Sequence, residues 1–175
     1  EAIGGVVNVI NNRIPKAIPA GGFSAEAGAS YDSVSDGVQA HGQADAAAGN
    51  VVFHIDSFAR NTDNYRVPGT PDRQSETWTE TSGIAGGASI ILGNGEYDGY
   101  AGGSISYYDS KYGIPDPGNP LNPVHIDMHQ TKVQLGSELD FTSGFISGLK
   151  LAGGYSDYSH GEVDAAGIVG SRFDN

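Results

Sequence analysis

Hydrophobic and polar residues alternate with a period of two along most of the chain. In 23–31, phenylalanine, alanine and tyrosine take the odd positions, while serine, glutamate and glycine take the even ones. Successive side chains of a β-strand point to opposite faces, so this pattern predicts strands with one apolar and one polar face. Helical periodicity is nearly absent, and we predict an all-β protein. The seven predicted strands lie at about 23–32, 38–46, 51–62, 83–92, 97–108, 131–140 and 149–155.

Strand length bears on two all-β architectures, a soluble sandwich and a membrane-spanning antiparallel β-barrel. Several predicted strands are longer than the ~5–6 residues usual in globular proteins and reach the ~9–11 residues that a tilted membrane strand needs. Tyr97 and Tyr107 share one face and would lie about 33 Å apart along a strand. With a tilt of ~40° their vertical separation is about 25 Å, the height of the apolar band between two aromatic girdles. The pattern favours the barrel.

The predicted connections are asymmetric. Those at 48–50, 93–95 and 141–145 are short, whereas 61–82, 109–123 and the stretch from 157 onward are long, with a short tip at 35–37 as the exception. Short turns at one end and long loops at the other are typical of outer-membrane barrels. Seven strands cannot close a barrel, and each unpaired edge group would cost several kcal/mol in lipid. We therefore expect the sequence to be part of a longer chain, which breaks off within a loop.

Composition excludes some classes of function. Nine Lys and Arg against 21 Asp and Glu, with a net charge of −12, provide no basic stripe for nucleic acid. The chain contains no Cys, which excludes disulfides and thiolate metal sites. It has no phosphate-binding glycine loop and no nucleophile elbow. We expect neither an enzyme nor a resident cofactor.

Several short runs carry a family resemblance. Residues 1–10 place Gly4, Gly5, Val6 and Asn8 in a Gly-Gly run followed by alternating Val and Asn, and a Pro-broken link follows at 12–15. These residues resemble the end of the plug domain in TonB-dependent receptors of Gram-negative outer membranes. Further runs resemble the zinc-uptake branch of that family, and they lie at 53–58, 63–69, 110–115, 124–131 and 153–158.

The resemblance implies a 22-stranded transmembrane barrel with an N-terminal plug, energised by the TonB system of the inner membrane. Residues 1–15 would end the plug, 16–22 would link it to the barrel, and 23–175 would form the N-terminal part of the barrel. The implied partners are TonB, outer-membrane lipid and a small-molecule or metal cargo. The expected function is import of a scarce nutrient, zinc or an iron chelate. The alternative is a structural or adhesive exported β-protein without a transport role.

Two groups of side chains are candidate sites. His125, Asp127 and His129 are spaced at i, i+2 and i+4, so on a strand they share one side, and imidazole and carboxylate are zinc ligands. The simpler interpretation is two exposed loop histidines near an aspartate. His54, Asp56 and Arg60 share one parity and are predicted to face the barrel lumen, where a polar network between plug and wall is the simpler interpretation.

Other polar residues are assigned to the lumen or to the loops. His41 is predicted to face the lumen, and His160 to lie in the last loop. The predicted outer loops are acidic, which would concentrate cations at the mouth of the barrel. Their acidic residues are Asp36, Asp63, Asp72, Glu76, Glu80, Asp109 and Asp116.

Overall fold

The computed structural model describes residues 11–69, 72–116 and 123–175, which form one open antiparallel sheet of eight strands. Each strand pairs with its neighbours in sequence, so the sheet is a simple meander from β1 to β8. A 3-10 turn at Ala20–Gly22 leads into it. The strands are β1 (Phe23–Asp32), β2 (Gly37–Ala48), β3 (Val51–Thr62), β4 (Thr79–Gly93), β5 (Tyr97–Ile114), β6 (Val124–Phe141), β7 (Gly148–Val163) and β8 (Val169–Asp174).

The all-β prediction is confirmed, but the predicted number of seven strands is wrong. β7 continues to Val163 and β8 follows at Val169–Asp174, in a region where the sequence predicts an unfinished loop. β4, β5 and β6 are also longer than predicted, with 15, 18 and 18 residues. Glu80 and Asp109, assigned to loops, therefore lie within β4 and β5. The plug-end residues Gly4, Gly5, Val6 and Asn8 lie outside the described residues.

The sheet has one apolar face and one polar face, and the apolar face is the exposed one. Fourteen large side chains on the apolar face are exposed, namely Phe23, Tyr31, Val38, Phe53, Ile55, Ile84, Ile90, Ile105, Tyr107, Val133, Leu135, Leu149, Leu151 and Tyr155. The buried hydrophobic residues of the described chain all lie on the opposite, polar face: Val52, Ala85, Tyr100 and Ile126. A soluble sheet buries its apolar face and exposes its polar face to water. In this sheet the apolar face is exposed, and the polar face is covered only in part, by residues 11–16.

Aromatic side chains mark two levels on the apolar face. Tyr31 and Tyr107 lie toward the end that carries the connections 33–36, 63–78, 115–123 and 164–168, which we call the loop end. Phe23, Phe53, Tyr97 and Phe141 lie toward the other end, the turn end, where the connections are 49–50, 94–96 and 142–147. Alanine, glycine, isoleucine, valine and leucine fill most of the space between the two levels. The last connection at the loop end is short, contrary to prediction.

No helix in the described part of the chain is both long enough and apolar enough to cross a membrane.

Candidate functional site

Residues 11–16 precede the sheet in sequence and lie against its polar face. Ser89 Oγ donates a hydrogen bond of 2.5 Å to the carbonyl oxygen of Pro15. Lys16 Nζ lies 5.5 Å from the centroid of the Tyr100 ring, a distance suited to a cation–π interaction. Pro15 and Tyr100 are both buried. The sheet therefore holds this segment by contacts from β4 and β5.

Two glycines of the sheet provide the room for this segment. A Cβ atom at Gly87 would overlap the carbonyl oxygen of Arg13. One at Gly102 would overlap the Ala88 carbonyl oxygen and lie 2.6 Å from Ser89 Cβ, both of β4, and 2.9 Å from Ile14 Cγ2. Neither glycine has a positive φ, so an alanine could adopt either backbone conformation. Close approach of the segment is the reason that position 87 needs glycine, whereas at position 102 the neighbouring strand β4 approaches more closely than the segment does.

A chain of charged groups joins the segment to β3 and β2. Arg13 binds Asp56 through two hydrogen bonds, with Nε 2.9 Å from Oδ2 and Nη2 3.1 Å from Oδ1. His54 lies between two carboxylates, with Nε2 3.2 Å from Asp56 Oδ2 and Nδ1 2.8 Å from Asp45 Oδ1. The His54 side chain is only 2% exposed. The imidazole can donate to both carboxylates only when both of its nitrogens carry hydrogen, and the four charges then balance.

An open cavity of ≈ 400 Å³ lies beside this charged chain. Asn11, Asn12 and Arg13 line one side of it, and His41, Gln43 and Phe58 line the other. Side-chain amides, a guanidinium and an imidazole give this cavity a polar lining. Its donors and acceptors could bind a small polar ligand.

The structure places the residues predicted to face a lumen on the polar face, although they do not act as one group. His54 and Asp56 belong to the charged chain with Arg13. Arg60 lies further along β3, where it pairs with Gln39 of β2 and Thr81 of β4. The ring of His41 covers Gly28, where an added Cβ would lie 2.6 Å from Cε1.

A second cluster lies on the apolar face at the loop end, beyond Tyr107. His129 of β6 contacts two carboxylates, with Nδ1 2.6 Å from Asp109 Oδ2 and Nε2 3.2 Å from Asp127 Oδ1. The Tyr107 hydroxyl lies 3.3 Å from Nδ1, and Lys111 Nζ lies 3.3 Å from Asp127 Oδ2. Asp109, Asp127 and His129 each offer one donor atom within 4.8 Å of the others. We call these three residues the Asp-His cluster.

The predicted metal ligands separate in the structure. His125, Asp127 and His129 do share one side of β6, as their spacing predicts. His125, however, lies beside the Trp78 ring, with the centroids 5.8 Å apart, and not in the Asp-His cluster. His160 lies within β7 and not in a loop; its ring stacks on Phe173 at 4.7 Å. The group that could hold a cation therefore includes Asp109 in place of His125.

Asp109, Asp45 and Arg13 belong to these clusters but are not predicted as site residues from the sequence. The sequence predicts Asp109 in a loop and Arg13 in the Pro-broken link at 12–15. A usable signal exists for Asp109, because β5 and β6 form a hairpin in which residue 109 pairs with residue 129. Positions 109 and 129 are equally far from the centre of the 115–123 connection, so hairpin pairing places them opposite each other. No comparable signal places Arg13 beside Asp56, since their contact depends on where the segment lies on the sheet.

A third cluster at the loop end joins two connections. Asp36, at φ 45°, accepts hydrogen bonds from the Tyr31 hydroxyl at 2.8 Å, from Arg66 Nη2 at 3.2 Å and from Arg73. The Tyr31 hydrogen bond, followed by the two guanidinium groups, holds the pKa of the Asp36 carboxyl below its usual value. Through Arg66 and Arg73, this cluster connects the loop between β3 and β4 to the 33–36 turn.

The chain matches no protein-family model, and no curated protein matches it.

Proposed function

We propose that the sheet is part of the wall of a transmembrane β-barrel in a Gram-negative outer membrane, and that the protein is a TonB-dependent receptor importing a scarce nutrient. The observation that carries this proposal is the exposed apolar face, bounded at two levels by aromatic side chains. The nine isoleucine, leucine and valine side chains named above on that face are 39–64% exposed, for example Val133 at 39%, Ile105 at 57% and Leu135 at 64%. Lipid is the environment in which such a face is stable.

Strand length and strand order support the same proposal. β4 to β7 contain 15, 18, 18 and 16 residues, more than the ~9–11 that cross the hydrocarbon layer, so they would extend beyond it at the loop end. Neighbouring strands are antiparallel throughout, as in outer-membrane barrels. Further strands would be required to pair the free edges of β1 and β8, and the family resemblance puts the total at 22.

The contacts of residues 11–16 support a plug inside that barrel. In a receptor of this type the polar face would line the lumen, and a segment held there by Ser89, Asp56 and Tyr100 would be the junction between plug and wall. The polar cavity beside Arg13 would then lie in the lumen. The acidic residues at the loop end favour a cationic cargo, since a negative mouth concentrates cations. Zinc or an iron chelate is the proposed cargo.

Cell fractionation of the full-length protein, combined with an uptake assay, tests this proposal. We expect the protein in the outer membrane, and we expect uptake of radioactive zinc or of a ferric chelate to stop when TonB is deleted. A full-length protein that is recovered without detergent, outside the membrane fraction, would contradict the barrel. Outer-membrane protein with TonB-independent uptake would support the barrel and contradict the receptor; in that case the structural or adhesive alternative would apply.

A further inference from the structure

The Asp-His cluster lies on the face of the sheet that would contact lipid, and not on the face that would line the lumen. Asp109, Asp127 and His129 have the parity of Tyr107, Ile105 and Val133, and they follow Tyr107 toward the loop end. In a barrel they would therefore lie on the outer surface, between the aromatic level of Tyr107 and the loop end. A cargo passing through the lumen would not meet them.

We propose that Asp109, Asp127 and His129 form a binding site for a divalent transition-metal cation on this outer surface, with Zn²⁺ as the best-suited ion. Imidazole together with carboxylates suits Zn²⁺, whereas Mg²⁺ and Ca²⁺ prefer all-oxygen sites. This inference goes beyond transport, because it concerns a surface site that exists whether or not the protein moves a cargo. The Lys111 ammonium, 3.3 Å from Asp127 Oδ2, would be displaced when the ion binds.

A second observation points to a ligand at this position. The Asp127 side chain is 30% exposed, but its Oδ1 atom is buried and has no hydrogen-bond partner among the described residues. It lies 3.2 Å from His129 Nε2, but that contact lacks hydrogen-bond geometry. A buried carboxylate oxygen without a donor is costly, and a cation between it and the imidazole would satisfy it.

The geometry requires a small rearrangement on binding. Zinc lies about 2.0–2.2 Å from imidazole nitrogen and carboxylate oxygen, so its donors are closer together than the 4.8 Å limit of this cluster. The His129 side chain is 46% exposed and has room to turn. A carboxylate that now contacts the ring would turn to the ion, and water would complete the coordination shell. No backbone movement is required, because β5 and β6 hold residues 109 and 129 directly opposite each other.

Zinc titration of the purified full-length protein in detergent tests the site, with Asp109→Asn, Asp127→Asn and His129→Gln as variants. Loss of a group that merely orients a metal ligand lowers affinity about 10–100-fold, so we expect each variant to weaken zinc binding at least ~10-fold. His125→Gln is the matched control, since His125 lies on the same strand and face but contacts Trp78. Its affinity should be unchanged. Lys111→Met should strengthen binding, because it removes a competing cation.

Three results would overturn the proposal. These are wild-type protein that does not bind zinc, equal affinity in wild type and the three variants, and a loss in His125→Gln as large as in His129→Gln. In the first two cases the cluster is only an ion pair. Heat-modifiable migration of each variant on a gel shows that its barrel is intact. The titration is independent of uptake, so failure of the receptor proposal and failure of this site give different results.

Discussion

Gly87 of β4 lies so close to Arg13 that a methyl group on its α-carbon would overlap the Arg13 carbonyl oxygen. Gly86, the residue before it, faces the other side of the sheet, where an added Cβ would meet only the His54 carbonyl oxygen at 3.8 Å. The two glycines are adjacent in β4, but only Gly87 faces residues 11–16. They therefore form a matched pair for testing whether the sheet holds residues 11–16.

We expect Gly87→Ala to displace the segment and Gly86→Ala to leave it in place. Overpacking of a close contact costs about 1–3 kcal/mol, and here the segment can escape that cost by detaching. Trypsin cleavage after Arg13 should accordingly become faster in Gly87→Ala, while Gly86→Ala behaves as wild type. Equal cleavage rates in both variants would show that the segment does not depend on this contact.

A double-mutant cycle tests the ion pair between Arg13 and Asp56. The two side chains are 25% and 20% exposed and form two hydrogen bonds. Asp56→Ala also removes a partner of the buried His54, so it should destabilise more than Arg13→Ala. Contacting residues of this kind couple by about 0.5–3 kcal/mol. We expect a coupling within that range from denaturant unfolding of Arg13→Ala, Asp56→Ala and the double variant, and additive effects would contradict the contact.

Acid should release the 63–78 loop. The pKa of Asp36 is lowered in the folded protein by the Tyr31 hydrogen bond and the nearby guanidinium groups, so its contribution is present above the unfolded pKa of about 3.9. It is lost as the pH falls through the lower, folded pKa. Protection from hydrogen exchange in 63–69 and 72–78, measured relative to the intrinsic exchange rate at each pH, should therefore fall below about pH 4. Asp36→Asn should show low protection of this loop at every pH, since asparagine tolerates the positive φ but cannot form ion pairs with the two arginines.

The two faces of β7 provide a test of lipid contact. Leu151 is 60% exposed on the apolar face, and Ala152 is exposed on the polar face. An arginine on a lipid-facing position at mid-membrane costs about 2–4 kcal/mol. Leu151→Arg should reduce the amount of folded protein in the outer membrane, while Ala152→Arg should reduce it little. A sheet that lies outside the membrane would show the smaller effect at both positions.

The sequence predicts the strands well where the two faces differ in polarity and poorly where they do not. β1 to β3 match their predicted bounds closely, because alanine and phenylalanine alternate there with serine, glutamine and aspartate. β7 continues through Tyr158 and His160, and β8 contains Ser171 and Arg172, so both faces are polar in these stretches. Backbone pairing to β6 and β7 extends the strands there, and periodicity in hydrophobicity carries no information about it.

The same limit applies to the candidate sites. The i, i+2, i+4 spacing correctly places His125, Asp127 and His129 on one side of β6. Spacing within one strand cannot show which neighbours lie across the sheet, and these neighbours turn out to be Trp78 for His125 and Asp109 for His129. Which residues lie together in a cluster is set by the register between strands.

The order of the strands in the sheet has a consequence for how the protein folds. Every strand pairs with the strand before it and the strand after it in sequence, so each pairing step closes only one hairpin loop, the longest being 63–78. The entropy lost on loop closure rises slowly with loop length, and no step requires a distant part of the chain. The sheet can therefore grow one hairpin at a time from any starting pair. Throughout that growth its outermost strand presents unpaired backbone groups, so a folding factor that covers a strand edge would have a binding surface at every stage.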